Sequence, residues 1–297
     1  MGKIGLVTVL YKCDDVLPGF FKSISLQQYS DYVLYLIDNS ENPDTDQLIE
    51  HLAVKYPLTQ YMHHKTGGNI GVAAGNNIGA GLAFDSGCSH IILLNNDIEF
   101  EQDYLFTRLM EQCDGGEKMI VPKVYYFDTR RVWMAGGYMD KWRALGVHYG
   151  YNKPDLPKYD QRKYISYAPT CFMMIAKEVY DRIGYTDEQY FAYYDDTDFV
   201  WRATKAGFKL LYEPLLHILH KVSSSTGGNS PFYVYYSNRN KIYFIRKNLR
   251  GIQRYFAFVY TFLSRVVFYL RFDKVRRRKL IQGIKDGFKI QVVSGKG

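Results

Sequence analysis

Ile91-Ile92-Leu93-Leu94-Asn95-Asn96-Asp97-Ile98-Glu99 decides the fold. Four large apolar residues in a row, after Ser89-His90 and before polar residues, read as a short strand buried on both faces. That is the pattern of a central strand in a parallel sheet. The run stops on two amides and a carboxylate. In open α/β sheets, ligands sit just beyond the carboxyl ends of the strands, so Asp97 stands where a ligand is expected. A lone carboxylate after a strand is more often a turn former; the rest of the chain has to add weight.

It does so on both sides. Ile4 to Leu10 is a similar apolar run, followed by Leu17, Phe20, Phe21 and Ile24 at the spacing of one helix face. Tyr32 to Ile37 gives a second strand ending on Asp38-Asn39-Ser40, then a helix from about Asp44 to Val54 and a third strand near Gln60 to His63. Strand and helix in alternation predict right-handed crossovers and a mostly parallel sheet flanked by helices, an α/β fold. Asp38 then ends a strand on the same edge as Asp97. The stretch Gly67-Gly68-Asn69-Ile70-Gly71-Val72-Ala73-Ala74-Gly75-Asn76-Asn77 has neither a P-loop nor a dinucleotide fingerprint. Two compatible readings stand: a helix packed so close to the sheet that only Gly and Ala fit, and backbone amides with Asn side chains facing a nucleotide.

Downstream, a helix is expected from about Asp103 to Cys113 and a strand from Met119 to Tyr125. Val132 to Val147, with Trp133, Gly136-Gly137 and Trp142, reads as irregular strands or hairpins. Tyr149 to Lys163, polar with two prolines, reads as an exposed loop over the site. A buried strand (Thr170 to Ala176) and a short helix ended by Gly184 lead to Tyr190-Phe191-Ala192-Tyr193-Tyr194-Asp195-Asp196-Thr197-Asp198-Phe199-Val200-Trp201-Arg202. Acids in a helix's first turn are favoured by its dipole. Three within four residues, behind an aromatic run, exceed what capping needs and point to catalysis or binding. Two strand-like runs flank Pro214; His220 closes the second and opens a small-residue loop through Gly228, with His217 close enough that the sequence does not choose between the two.

Composition bounds the rest. A 297-residue chain that is 47% apolar and 16% aromatic supplies a core, and 28 tyrosines suit wet grooves. No basic-then-apolar leader marks it for secretion. Four scattered cysteines without a Cys-x-x-Cys pair argue for free thiols in a reducing cytoplasm and against a zinc site. The net charge of +8 is uneven: Arg246 to Lys289 holds thirteen Lys/Arg against two Asp/Glu, leaving −3 for everything else. There, Ile252, Tyr255, Phe256, Val259, Leu263, Val266, Val267 and Leu270 recur at helical spacing, with ten residues between Arg254 and Arg265. That is far short of the roughly 20 apolar residues of a spanning helix. The alternatives are a helix packed on the body with a solvated basic face and, preferred, an amphipathic helix on an anionic membrane surface.

Taken together, these residues resemble the family 2 glycosyltransferases, nucleotide-sugar enzymes of the GT-A fold, from about Lys3 to Asn248. The resemblance rests on Thr8 and Tyr11, Asp38-Asn39-Ser40, Asn69-x-Gly71 with Asn76 or Asn77, Asn95-Asn96-Asp97, Asp195-Asp196-x-Asp198 with Arg202, and His220 before its Ser-rich loop. It implies a GT-A domain over 1–249 (nucleotide-binding half 1–100, acceptor half 101–249) and a basic helical segment over 250–297. Thr8, Tyr11, Asp38, Asn69, Gly71, Asn76 and Asn96 would bind the nucleotide. Asp97 and His220 would hold Mn²⁺ or Mg²⁺ against the diphosphate. Asp196 would be the general base of an inverting displacement with Asp195 beside it, and Asp198, Trp201 and Arg202 would support the site or the acceptor. Asn95 stands where the family often has a second acid, which leaves one negative charge fewer. The processive members' Gln-x-x-Arg-Trp is absent, which favours transfer of a single sugar.

Asn-Asn-Asp-Ile-Glu, His220-Lys-Val-Ser and Tyr236-x-x-Arg239-Asn240 look most like bacterial rhamnosyltransferases of cell-wall and surface-polysaccharide assembly. That implies a dTDP-rhamnose donor, with a UDP-sugar as the alternative, and a lipid-linked saccharide acceptor at the inner face of the cell membrane. A sugar nucleotidyltransferase would need a Gly-rich, Arg-containing loop after the first strand, where Tyr11-Lys12-Cys13-Asp14-Asp15 stands. A non-catalytic nucleotide or nucleic-acid binder is the reading of another class, motivated by the basic tail; no nucleic-acid partner is expected.

Overall fold

A computed structural model describes residues 2–40, 42–222 and 230–292; the Ser-rich loop expected after His220 lies largely outside them. The alternation runs β1 (Ile4–Leu10), α1 (Leu17–Ser25), β2 (Tyr32–Asp38), α2 (Pro43–Lys55), β3 (Tyr61–Lys65), α3 (Val72–Asp85) and β4 (His90–Leu94). All pairings within this half are parallel, in the order β3-β2-β1-β4. Asp38 and Leu94 therefore end their strands on one edge. Ile91 to Leu94 are all buried, as a strand covered on both faces requires. The small residues of α3 have a packing cause: a Cβ on Gly75 would stand 2.7 Å from Val9, and one on Gly79 2.3 Å from Val7. Only glycine lets the helix lie this close to β1.

The second half comprises β5 (Ile98–Glu99), α4 (Leu105–Asp114), β6 (Met119–Tyr126), β7 (Val132–Met134), β8 (Gly137–Asp140), β9 (Leu145–His148), β10 (Lys163–Ile165), β11 (Phe172–Ala176), α5 (Lys177–Ile183), α6 (Asp195–Lys205) and β12 (Leu210–His220). It extends the sheet as β4-β11-β6-β12-β10. β11 is antiparallel to both β4 and β6, so the central strand has one parallel and one antiparallel neighbour. The two runs around Pro214 form one strand. Its register against β6 slips between Glu213 and His217, and Pro214, with no N–H to give a ladder, sits in that irregularity. The polar segment 149–163 is pinned to the body: buried Lys123 donates to Asp155 at 3.1 Å and to Asp160.

The C-terminus is three helices, α7 (Pro231–Asn248), α8 (Gly251–Arg271) and α9 (Lys274–Lys289). α9 packs along α7, where a Cβ on Gly283 or Gly287 would stand 2.5 or 2.4 Å from the carbonyl oxygens of Tyr235 and Arg239. α8 buries only Ala257 and Thr261 completely. A second core, with Met139, Tyr167, Tyr190, Trp201, Tyr243 and Phe244, joins the β8–β9 hairpin, α6 and α7. The candidate site lies where this core meets the sheet edge.

Candidate active site

The turn into α6 is strained. Phe191, Tyr193 and Tyr194 have φ of 62°, 64° and 68°, in the left-handed region that costs a side-chain-bearing residue about 1–3 kcal/mol. Helix α7 holds the turn in place: the Asn240 amide donates to the carbonyls of Tyr190, Ala192 and Tyr193 at 2.7, 2.7 and 2.8 Å. Arg239 donates to those of Gln189 and Tyr190. On the other side, Gly71 (φ 88°) lies against Phe191, whose carbonyl accepts from Val72 N at 2.7 Å. The Gly-rich loop and the aromatic turn are therefore one assembly.

The three acids of α6 diverge. Asp198 is fully buried and accepts from Tyr190 Oη, Arg202 Nε, Lys247 Nζ and Asn248 Nδ2 at 2.7–3.1 Å. Burial alone would raise its pKa, but Lys247, Arg202 and Asn248 outweigh it and hold the carboxyl below its ordinary range. Arg202 also ties α6 to the carbonyls of Ile183 and Tyr185, and Trp201 packs on Phe244. These three residues support the site structurally. Asp195 and Asp196 have no cation on them among the described residues. Burial, then the charge of Asp196, pushes Asp195 up to about 7. Asp196, the more exposed of the two, is also raised by burial, against hydrogen bonds from Thr197 to Oδ1 and from Tyr167 Oη to Oδ2 at 3.0 Å. A carboxylate poised above its usual range at a helix start is suited to take a proton.

At the edge of β4, Asp97 Oδ1 lies 3.1 Å from His220 Nε2, because β5 pairs with the end of β12 and sets His220 opposite Ile98. His217 instead meets Tyr125; the structure brings His220, not His217, to Asp97. A carboxylate and an imidazole at this separation, with no Lys or Arg on the carboxylate, suit a divalent ion of the Mn²⁺ type. A run of rings links this pair to the acids of α6. Trp133 packs on His220 and on His148 (4.7 Å each), and His148 stacks on Tyr167, which bonds Asp196. Burial pushes His148 down to about 4, so this ring is neutral at ordinary pH. The Cys171 thiol, raised chiefly by burial, also feels the charges of both Asp97 and Asp196; the two acids flank one point of the sheet.

At the nucleotide end the expected residues divide. Asp38 has no exposed side-chain surface. It accepts from Ser40 N (2.8 Å), Ser40 Oγ and His63 Nε2 (3.2 Å), so its reach toward a ligand runs through Ser40 and His63. Burial opposes its ionisation, but these bonds outweigh it and hold the pKa below normal. Asp38, Asp46 and His63 have ligand atoms within 4.8 Å of one another and form a second group that could hold a metal ion, with Lys65 paired to Asp46. The buried Thr8 hydroxyl has no partner among the described residues, and Tyr11 is exposed. Asn77 ties α3 to Thr186 and Glu188, whereas Asn76 makes no hydrogen bond within the described residues and is free for a ligand. Asn69 accepts from Gly71 N, and Asn96 donates to Val9 O, joining the ends of β4 and β1. The sequence reading missed Tyr167, Trp133, His148 and the clamping role of Asn240. Only Asn240 carried a local signal, in Tyr236-x-x-Arg239-Asn240.

The sequence model described as Glycosyl transferase family 2 matches residues 6–184, more than half the chain but ending before α6. The low-salt glycan biosynthesis hexosyltransferase Agl10 of Haloferax volcanii is 24% identical over 244 residues, covering 80% of this chain and 74% of that protein. The rhamnosyltransferase WbbL of Escherichia coli K12 is 23% identical over 237 residues, covering 72% and 82%. Among solved structures, GalNAc-T7 with UDP, GalNAc and Mn²⁺ superposes with a TM-score of 0.61 at 15% identity. That match covers 91% of this chain, which spans only 57% of the neighbour. With the GT-A sheet and the family match in agreement, the chain belongs to glycosyltransferase family 2 and transfers a glycosyl group from a nucleotide sugar.

Proposed function

We propose an inverting, divalent-cation-dependent enzyme that moves one rhamnose from dTDP-rhamnose to a hydroxyl of a lipid-linked saccharide, in polysaccharide assembly at the cytoplasmic face of the cell membrane. The observation that carries the chemistry is the ring-linked run from Asp97 and His220 to Asp196, a cation-holding pair and a proton acceptor beside one strained turn. Asp196 takes the acceptor's hydroxyl proton as that oxygen bonds to the anomeric carbon. The carbon–phosphate-oxygen bond breaks, its electron pair leaves with the nucleoside diphosphate, and the configuration inverts. An ion held by Asp97 and His220 would supply charge for the departing diphosphate. Asn76 and the Gly71 loop stand where the donor binds. The likeness to the rhamnosyltransferase WbbL supports rhamnose; the likeness to the hexosyltransferase Agl10 supports another hexose, and a UDP-hexose is the second reading.

Purified protein is offered dTDP-rhamnose and a panel of UDP-hexoses with Mn²⁺ or Mg²⁺, and nucleoside diphosphate release is followed. Release is expected to be fastest from dTDP-rhamnose and to be lost on chelation and in Asp97→Ala, with the circular dichroism unchanged. Faster release from a UDP-hexose replaces the donor assignment, and release from none refutes transfer.

The membrane location is supported by α8. Ile252, Tyr255, Leu263, Val266 and Leu270 are exposed along it, beside Arg250, Arg254, Arg271 and the α9 run Arg276-Arg277-Arg278-Lys279. Among the described residues no helix is long and apolar enough to cross a membrane, so the helix would lie in the interface, with anionic lipid contributing about 1 kcal/mol per nearby basic residue. Full-length protein should sediment with phosphatidylglycerol vesicles at low salt. Replacing exposed Leu263, Val266 and Leu270 together by glutamate should release it; unchanged sedimentation would refute the α8 contact.

A further inference from the structure

Two lysines are equally buried, each with 2% of its surface exposed, and meet opposite surroundings. Lys123 has the carboxylates of Asp155 and Asp160, which keep it charged against its burial. Lys241, on α7, has no carboxylate within ion-pairing distance among the described residues; its Nζ lies 5.2 Å from the centre of the Tyr260 ring. A lysine almost never goes fully inside unless it is paired. Burial, then Arg265, then Arg143 push its pKa down to about 7, with Asp140 opposing.

Arg265, on α8, has no carboxylate partner among the described residues either: Nε donates to Asn238 Oδ1 at 2.6 Å and Nη1 to Ser264 Oγ at 3.1 Å. Arg143, in the β8–β9 turn, pairs with Asp140 at 2.6 Å. Three basic side chains from three elements thus gather about one carboxylate, and among the described residues Lys241 and Arg265 have none of their own. Arg143 and Tyr260 are the solvent-exposed members of the cluster. Tyr194 borders the cluster: its hydroxyl donates to Ala144 O, the Arg265 charge acts on it, and it directly precedes Asp195. Gathering like charges without counter-ions is costly unless an anion completes the site.

We propose that Lys241, Arg265 and Arg143 bind the diphosphate of a prenyl-diphosphate-linked acceptor. This rests on the reading of the acceptor as lipid-linked. Ala257, Thr261 and Arg265 recur every four residues and share the inward face of α8, while Leu263, Val266 and Leu270 are exposed. A diphosphate held by Arg265 would leave its prenyl chain beside the helix offered to the bilayer and its sugar beside Asp196.

The test titrates full-length protein with geranylgeranyl diphosphate in phosphatidylcholine vesicles. Geranylgeraniol in the same vesicles, inorganic diphosphate, and phosphatidylglycerol vesicles are separate arms. Lys241→Met keeps the side chain's length without its charge, Arg265→Gln keeps a donor, and Arg265→Lys keeps the charge; melting temperatures confirm that each is folded. Binding of the prenyl diphosphate should fall roughly tenfold or more in Lys241→Met and Arg265→Gln and less in Arg265→Lys, with dTDP and phosphatidylglycerol binding unchanged. Wild-type binding by the first two variants overturns the proposal, as does equal affinity for geranylgeraniol or for inorganic diphosphate. Loss of dTDP binding in Lys241→Met would give the cations to the donor and overturn it as well. The transferase reading fails separately, through the absence of turnover of any nucleotide sugar.

Discussion

The acids at the edge of β2 and those in the first turn of α6 are handled in opposite ways. Asp38 is supplied with hydrogen bonds from Ser40 and His63, and Asp46 with the charge of Lys65. In α6 such partners reach Asp198; Asp195 and Asp196, in the same turn, receive no cation among the described residues and are raised above the ordinary range. A carboxylate surrounded by cations is locked as an anion and serves as an anchor. One denied them is held above the usual carboxylate range, which suits a general base. The contrast separates scaffold from chemistry more sharply than burial does, since Asp38, Asp195 and Asp198 are all buried.

Substitutions at Asp196 and Asp198 are the strongest way to break this distinction. Asp196→Asn should lower transfer by roughly 10²–10⁴-fold with the fold and donor binding kept. Asp198→Ala leaves Arg202 without its buried counter-charge and Lys247 with Asp187 alone, and should cost about 3–5 kcal/mol of stability, read as a lower denaturation midpoint. Because the Asp198 pKa is depressed on folding, its contribution is present above the ordinary carboxylate pKa and fades as pH falls through the folded value; the variant should lack that acid sensitivity. A stable but inactive Asp198→Ala beside an active Asp196→Asn would exchange the two roles.

Tyr167→Phe sharpens the comparison with a smaller effect. Tyr167 donates to Asp196 and so favours its anion. Removing that bond should raise the Asp196 pKa and move the acid limb of the rate profile upward by about one pH unit, at modest loss of rate at high pH. An unmoved limb would show that Asp196 does not titrate in the reaction.

The sheet was legible because its strands are long apolar runs that end on polar residues. Those ends brought Asp38 and Asp97 to one edge before any coordinate was known. The α6 acids were legible as an excess over capping, but their division was not, since it depends on Lys247 and Asn248, fifty residues downstream. Tyr167, Trp133 and His148 gave no signal because each is an aromatic among many in a chain with 28 tyrosines, and their roles come from packing across a hairpin. The C-terminal segment read as one amphipathic stretch because its apolar residues keep helical spacing throughout. It is α8 that leaves these residues exposed, while Gly283 and Gly287 bring α9 onto α7.

The clamp from Asn240 to the strained turn bears on how such enzymes can be recombined. The three carbonyls it holds belong to residues 190, 192 and 193, while the amide itself is on α7. A module cut where the family match ends, at residue 184, would omit both partners, and one cut before α7 would carry the turn without its support. A working graft that carries the α6 turn onto a foreign first half of the sheet has to take α7 with it. A swap of the C-terminal appendage alone has its junction after Asn248.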